Sequence, residues 1–248
     1  MTTIGINTLV YLDDLKAGVP QSQILSTIAK HGVTLAEVRR EYIDGPDEIA
    51  AIAKATKDNG LTLFYSVPEL ITINGKANPD LETYLDEATR LGAANVKLNQ
   101  GDVKDVDASV LAAIDQAAAA HHVNITIEND QTPENGTFAC TEASLKHIKE
   151  AGSAIGYTFD LGNWFWRDED AVKAFDALQQ SITVFHLKNV NGAAKREELS
   201  TTLLADGVID WKSLVSRLDD SVPVLLEYPA PAQEVENELR QLRQAVAA

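Results

Sequence analysis

Short apolar runs alternate with amphipathic stretches from one end of the chain to the other. Eight runs, at 3–10, 33–41, 60–66, 94–100, 123–129, 155–160, 182–188 and 222–228, are rich in β-branched, aliphatic and aromatic residues and close on turn-forming residues. That is the pattern of buried parallel strands. Between and after them apolar positions recur at helical spacing, in 21–32, 46–60, 79–92, 107–122, 141–152, 168–180, 210–220 and 236–248. PDEIAAIAKATKDNG shows the grammar: Pro46 and acids open the helix, where its dipole is positive, and Gly60 ends it.

Eight strands alternating with eight helices, with no linker or break in composition, predict a single (β/α)8 TIM barrel over residues 1–248. The competing arrangement is a doubly wound open sheet. It finds no support in a GxGxxG or GxxxxGK[ST] sequence, since neither is present. The segment 189–209 is the longest irregular connection, and such loops often cover a site.

Charge narrows the function. With 37 acidic and 21 basic residues the chain carries a formal −16, which repels phosphate backbones and anionic membranes and argues against nucleic-acid or membrane partners. The single cysteine, Cys140, fits a reducing compartment. MTTIGINTLVY reads as a first strand and lacks the basic and apolar regions of a signal peptide. No run approaches 18 apolar residues, so the expectation is a cytoplasmic protein.

Four of the later runs end on an ionisable residue: Glu128 in INITIEND, Asp160 in GYTFDLGN, His186 in ITVFHLKN and Glu227 in VPVLLEYP. Strand parity gives three of them a common direction. Thr126 and Glu128 oppose Ile125 and Ile127; Thr158 and Asp160 oppose Tyr157 and Phe159; His186 and Lys188 oppose Phe185 and Leu187. In a barrel the apolar face meets the helices, so the polar set points inward at the end where catalytic residues sit. Burying such groups is costly without a partner, and three carboxylates with one imidazole share a natural one, a divalent metal ion.

Glu, Asp, His, Glu on strands five to eight, together with IEN (127–129), FDLGN (159–163), HLKN (186–189), LADGVIDW (204–211), LLEYP (225–229) and EVRREYI (37–43), resembles the xylose-isomerase-like TIM barrels. The likeness is to the sugar isomerase/epimerase branch with D-tagatose and D-psicose 3-epimerases. The resemblance implies one divalent ion (Mn²⁺, Mg²⁺ or Co²⁺, with Zn²⁺ a further candidate) on Glu128, Asp160, His186 and Glu227. It also implies that Glu128 and Glu227 exchange protons with a sugar or sugar phosphate through a metal-stabilised enediolate. Glu134 stands where that branch has a substrate-binding glutamate. Asn163 replaces its usual histidine, and Gly192 its arginine, with Arg196 in the same loop as the substitute. Homo-oligomers are common in the family.

Further substrate-binding candidates come from the residues alone. Lys97 shares the inward face of strand four with Asn99, Lys188 follows His186, and Trp164 opens an aromatic cluster that would wall a pocket or pack as core. Glu37, Arg39 and Glu41 share one face of strand two, as a salt-bridge network or a substrate contact. His31, His121, His122 and His147 fall within or at the ends of helical stretches and are assigned to no metal. The alternatives are a metal-dependent dehydratase or lyase of the same barrel type (3-dehydroshikimate dehydratase-like or inositol-pathway) and a non-catalytic sugar-binding barrel. An endonuclease-IV-like enzyme would need a histidine-rich three-zinc cluster that five histidines, one at a strand end, do not supply.

Overall fold

In the computed structural model, which describes residues 2–247, eight parallel strands close on themselves. They are β1 (Ile4–Asn7), β2 (Leu35–Arg39), β3 (Thr62–Leu70), β4 (Asn95–Asn99), β5 (Asn124–Glu128), β6 (Gly156–Asp160), β7 (Ile182–Leu187) and β8 (Val224–Leu226). Each neighbours the next in sequence, and Ile4 pairing with Val224 shuts the ring, which rules out the open sheet. Among the described residues the helices are α1 (Leu12–Lys16), α2 (Gln21–Lys30), α3 (Gly45–Asp58), α4 (Leu81–Leu91), α5 (Ala108–Ala120), α6 (Phe138–Ala151), α7 (Ala171–Leu178), α8 (Trp211–Val215) and α9 (Val235–Val246). None is long and apolar enough to cross a membrane.

The periodicity places all eight strands but misjudges several ends. The first run stops at Asn7 because its side chain accepts from Leu9 N and starts a 3₁₀ turn, Thr8–Tyr11, where a strand to 10 is expected. The short α1 is an added element. Strand β3 runs on to Leu70, with a register shift between Ser66 and Leu70 around Pro68, which has no N–H to give a ladder. Helix α6 starts at Phe138, ahead of the expected 141, because Thr137 caps it. Helix α8 covers only Trp211–Val215 of the expected 210–220. The last helix is described to Val246; position 248, in the expected range, lies outside the described residues.

Parity sorts the side chains as a barrel requires. Val38, Tyr65, Val96, Ile127, Phe159 and Phe185 face outward and are buried under the helices in one continuous core. The inner face is different: Leu35, Val184 and Leu225, with Phe64 against them, form a small apolar plug, and polar side chains lie above it. Behind β6 and β7, Phe159 stacks on Phe185 with centroids 5.5 Å apart, and Phe175 of α7 meets Phe159 edge-on at 5.8 Å. This packing holds the two strands that carry Asp160 and His186 against a rigid backing.

The 189–209 connection is pinned. Asn189 donates to the carbonyls of Leu204 and Ile209 and accepts from Ile209 N, and Gly207 lies so close to it that a Cβ would collide. Trp211 Nε1 also donates to Leu204 O. The LADGVIDW run therefore closes a loop rather than supplying reactive groups.

Candidate metal centre

The four strand-end residues meet. Glu128, Asp160, His186 and Glu227 each offer one donor atom, and these atoms lie within 4.8 Å of one another. All four are buried, with Asp160 and His186 at 0% exposure.

The carboxylates divide their oxygens in the same way. Asp160 Oδ1 accepts from the backbone N–H groups of Gly162 and Asn163, both at 3.0 Å, while Oδ2 receives no hydrogen bond. Glu128 Oε2 accepts from Lys97 Nζ at 2.7 Å, and Oε1 turns to His186 Nδ1 at 2.8 Å. Glu227 Oε1 accepts from Arg39 Nη1 at 2.9 Å, and Oε2 faces His186 Nδ1 at 3.3 Å. Each acid thus has one oxygen fixed from outside and one aimed at the common point, with His186 Nδ1 aimed there too. Three hard oxygens and one imidazole nitrogen, oriented by outer partners, suit a divalent ion.

Lys188 enters the same space. Its ammonium lies 2.6 Å from Asp160 Oδ2, off the line of a hydrogen bond, and 2.8 Å from Glu227 Oε2. Lys97 and Arg39 complete a set of three cations among four buried carboxylates, the fourth being Glu37 at 0% exposure.

Crowding sets the protonation. Burial pushes the carboxyls of Glu128, Asp160 and Glu227 upward. Lys97 foremost overcomes it at Glu128, which falls to about 2. Lys188, His186 and Arg39 likewise hold Glu227 well below the usual carboxylate range. At Asp160 burial wins: Lys188 opposes it, the charges of Glu227 and Glu128 reinforce it, and the carboxyl rises to about 8. Burial depresses His186, but Glu227 and Glu37 more than compensate, and the ring is held well above its ordinary value. The cluster keeps protons that a dication would replace.

Strand β6 is locked to its neighbour. Asn129 Oδ1 accepts from Asp160 N and from the Tyr157 hydroxyl, its amide donates to Asp160 O, and Asn163 donates to Asn129 O. Asn163 also accepts from Gln131 at 2.9 Å, at the mouth.

Other expected site residues fall elsewhere. Trp164 is a correction: it is fully buried, its ring 5.7 Å from Phe159, because the 3₁₀ turn Asn163–Arg167 carries it behind the barrel wall and into the core, away from the mouth. Arg196 is on the surface, 3.5 Å from Asp168, and lies outside the cluster. Glu134 is exposed on the rim of a 640 Å³ cleft at the same barrel end, shared with Asn99, Asp102, Asp105 and Asp130. Lys97 and Lys188 both contact the candidate ligands.

Asn7 is a site residue that no sequence signal singles out, and Glu37 and Arg39, expected as a salt-bridge network or a substrate contact, reach the candidate ligands. Asn7, from β1, donates to Glu37 Oε1 at 2.5 Å and reaches Glu227 Oε1 at 3.4 Å. Arg39 binds Glu227, and Glu37 lies 3.2 Å from His186 Nε2. Inward parity of Glu37 and Arg39 was the available signal; their partners were not.

A family profile described as xylose isomerase-like TIM barrel matches residues 25–245. Solved structures share the fold over nearly the full chain. D-psicose 3-epimerase in the presence of D-fructose is 16% identical, with a TM-score of 0.72 over 100% of both chains. The probable 3-DHS dehydratase AsbF involved in petrobactin synthesis from Bacillus anthracis is 14% identical, with a TM-score of 0.69 over 100% of this chain and 99% of that one. The IolI protein with a binding zinc atom is 15% identical, with a TM-score of 0.71 over 99% and 98%. No curated relative matches by sequence.

Proposed function

This chain belongs to the xylose isomerase-like TIM barrel family, and on that footing we propose that it is a divalent-metal-dependent isomerase or epimerase of a sugar or sugar phosphate. The observation that carries the reading is the division of oxygens at Glu128, Asp160 and Glu227: one held from outside, one converging with His186 Nδ1. When bound, a dication supplies Lewis-acid chemistry, drawing charge from a carbonyl oxygen and acidifying the neighbouring C–H.

The chain's own residues do the rest. Asp160 and His186 orient and hold. Glu128 Oε2 and Glu227 Oε1, turned away from the converging point, are the oxygens able to take up and return a proton. Both now receive a cationic N–H, from Lys97 and Arg39. A carboxylate so paired is a weak base. Substrate hydroxyls and carbonyls that draw Lys97 and Arg39 to themselves would restore basicity, so proton transfer becomes tied to occupancy of the site. Two glutamates on different strands could serve opposite faces of one carbon and invert it; one alone would support aldose–ketose isomerisation. General acid–base steps of this kind contribute about 10²–10⁴-fold each.

A second reading, a dehydratase of the same barrel, draws on Asn163 in place of the epimerases' histidine and on the likeness to the 3-DHS dehydratase. One experiment separates them. Ketohexoses, ketopentoses, their phosphates and 3-dehydroshikimate are incubated with enzyme and Mn²⁺ in D₂O and followed by NMR. We expect deuterium at one carbon with epimerised or isomerised product, abolished by EDTA and lost in Glu227→Gln. Loss of water from the substrate would establish the dehydratase. Turnover unchanged in EDTA would remove the metal from the mechanism.

A further inference from the structure

Every outer atom of the proposed ligand set has a partner except one. His186 Nε2 is buried and has no hydrogen bond, and the group that faces it is Glu37, whose Oε1 is 3.2 Å away. Glu37 is itself fully buried, and its Oε2 also lacks a donor. The unsatisfied Nε2 therefore faces a buried carboxylate oxygen held by Asn7, and a small rotation of the ring would complete the bond. A carboxylate at 0% exposure is costly to bury and needs such partners.

Asn7 fixes the carboxylate from the other side. Its Oδ1 accepts from Leu9 N at 2.8 Å, so its NH₂ must point inward, to Glu37 Oε1 at 2.5 Å and toward Glu227 Oε1 at 3.4 Å. The amide thus links the carboxylate behind His186 to a ligand carboxylate.

Resting on the metal reading above, we propose that Glu37, steadied by Asn7, is the positioning residue of the centre: it holds the proton of His186 on Nε2 and so leaves Nδ1 unprotonated and aimed at the ion. A neutral imidazole carries one proton, and which nitrogen carries it is set by the bond the other side makes. With Nε2–H directed to Glu37, the Nδ1 lone pair points where Glu128 Oε1 and Glu227 Oε2 converge. Without Glu37 the proton is free to sit on Nδ1, bonded to Glu128, and the nitrogen is lost as a ligand. Strands β1 and β2, which supply none of the four ligands, thereby complete the site.

The test is Mn²⁺ binding by calorimetry on wild type, Glu37→Ala and Glu37→Gln, with ¹⁵N NMR of the histidine rings in the zinc-loaded wild type. We expect Glu37→Ala to weaken Mn²⁺ about 10–100-fold, the usual cost of losing such a partner. Glu37→Gln, whose amide oxygen accepts the same N–H, should recover most of that loss. The wild-type ring should show a protonated Nε2 and a zinc-bound Nδ1. Unchanged affinity in Glu37→Ala overturns the inference. So does a wild-type ring that binds zinc through Nε2, a result that needs no variant to fold. If wild type binds neither ion, the metal reading itself fails.

Discussion

Gly5 shows how tightly single residues are set inside the barrel. It lies on the inner face of β1, and a Cβ there would come 2.8 Å from Leu35 Cγ and 3.0 Å from Leu225 Cγ. Neither leucine can withdraw, since both belong to the apolar plug beneath the polar cluster. Gly5→Ala should therefore cost about 1–3 kcal/mol by overpacking, measurable by urea unfolding. At this scale the sequence is unevenly legible. Glu128 and Asp160 stand out because each closes an alternation of apolar and polar residues, so parity aims them, and His186 because it interrupts the apolar run of Val184, Phe185 and Leu187. Asn7 and Glu37 do not: Asn7 reads as the middle of a longer strand, and Glu37 begins a run of charges, EVRRE, in which any pairing is open. Trp164 is ambiguous for another reason. One turn of 3₁₀ helix decides whether an aromatic side chain walls the mouth or backs the strand, and that turn leaves no periodic signal.

Elements are joined by polar ties as well as by the core. Glu87 on α4 accepts from Arg40, in the turn after β2, at 2.8 and 3.1 Å, and from the Tyr65 hydroxyl of β3 at 2.6 Å. Burial pushes this carboxyl upward, but Arg40 and Tyr65 outweigh it and hold it below its ordinary value. A carboxyl lowered on folding adds stability above its unfolded value, about 4.3, and loses it as pH falls through the lower folded value. Glu87→Gln should therefore be less stable than wild type at pH 7. Below about pH 4.3 the gap should close, because the native carboxylate is then losing the same interaction. Thermal unfolding at a series of pH values reads both; a gap constant with pH would assign the loss to packing. The strands and long helices around this tie are readable from apolar spacing, which is strong over ten or more residues. The five-residue α1 is not, because LDDLK spans little more than one turn and offers no repeat to detect.

At the scale of the whole molecule, a net charge of −16 works against compactness and draws cations inward. The cleft at the same barrel end carries Asp102, Asp105, Asp130 and Glu134 on its walls, against one cation, Lys104. The proposed ligands come from β5–β8, one half of the ring, and α7 with its aromatic cluster backs the middle of that half. An ion that binds only the folded cluster adds stability by mass action, about 2.7 kcal/mol at 100 times its Kd. For a chain of this length that corresponds to a rise of about 5–10 °C in Tm. The rise should vanish in Asp160→Ala, because Asp160 Oδ2 is a converging oxygen with no hydrogen bond of its own and the backbone N–H groups of Gly162 and Asn163 hold the carboxyl in place. Hydrogen exchange should place the added protection on β5–β8 more than on β2–β4. A Tm rise of equal size in Asp160→Ala would move the bound ion out of the barrel mouth, most simply to the acidic cleft wall, and protection spread evenly round the ring would mean that the ion acts on the overall charge rather than on four strand ends.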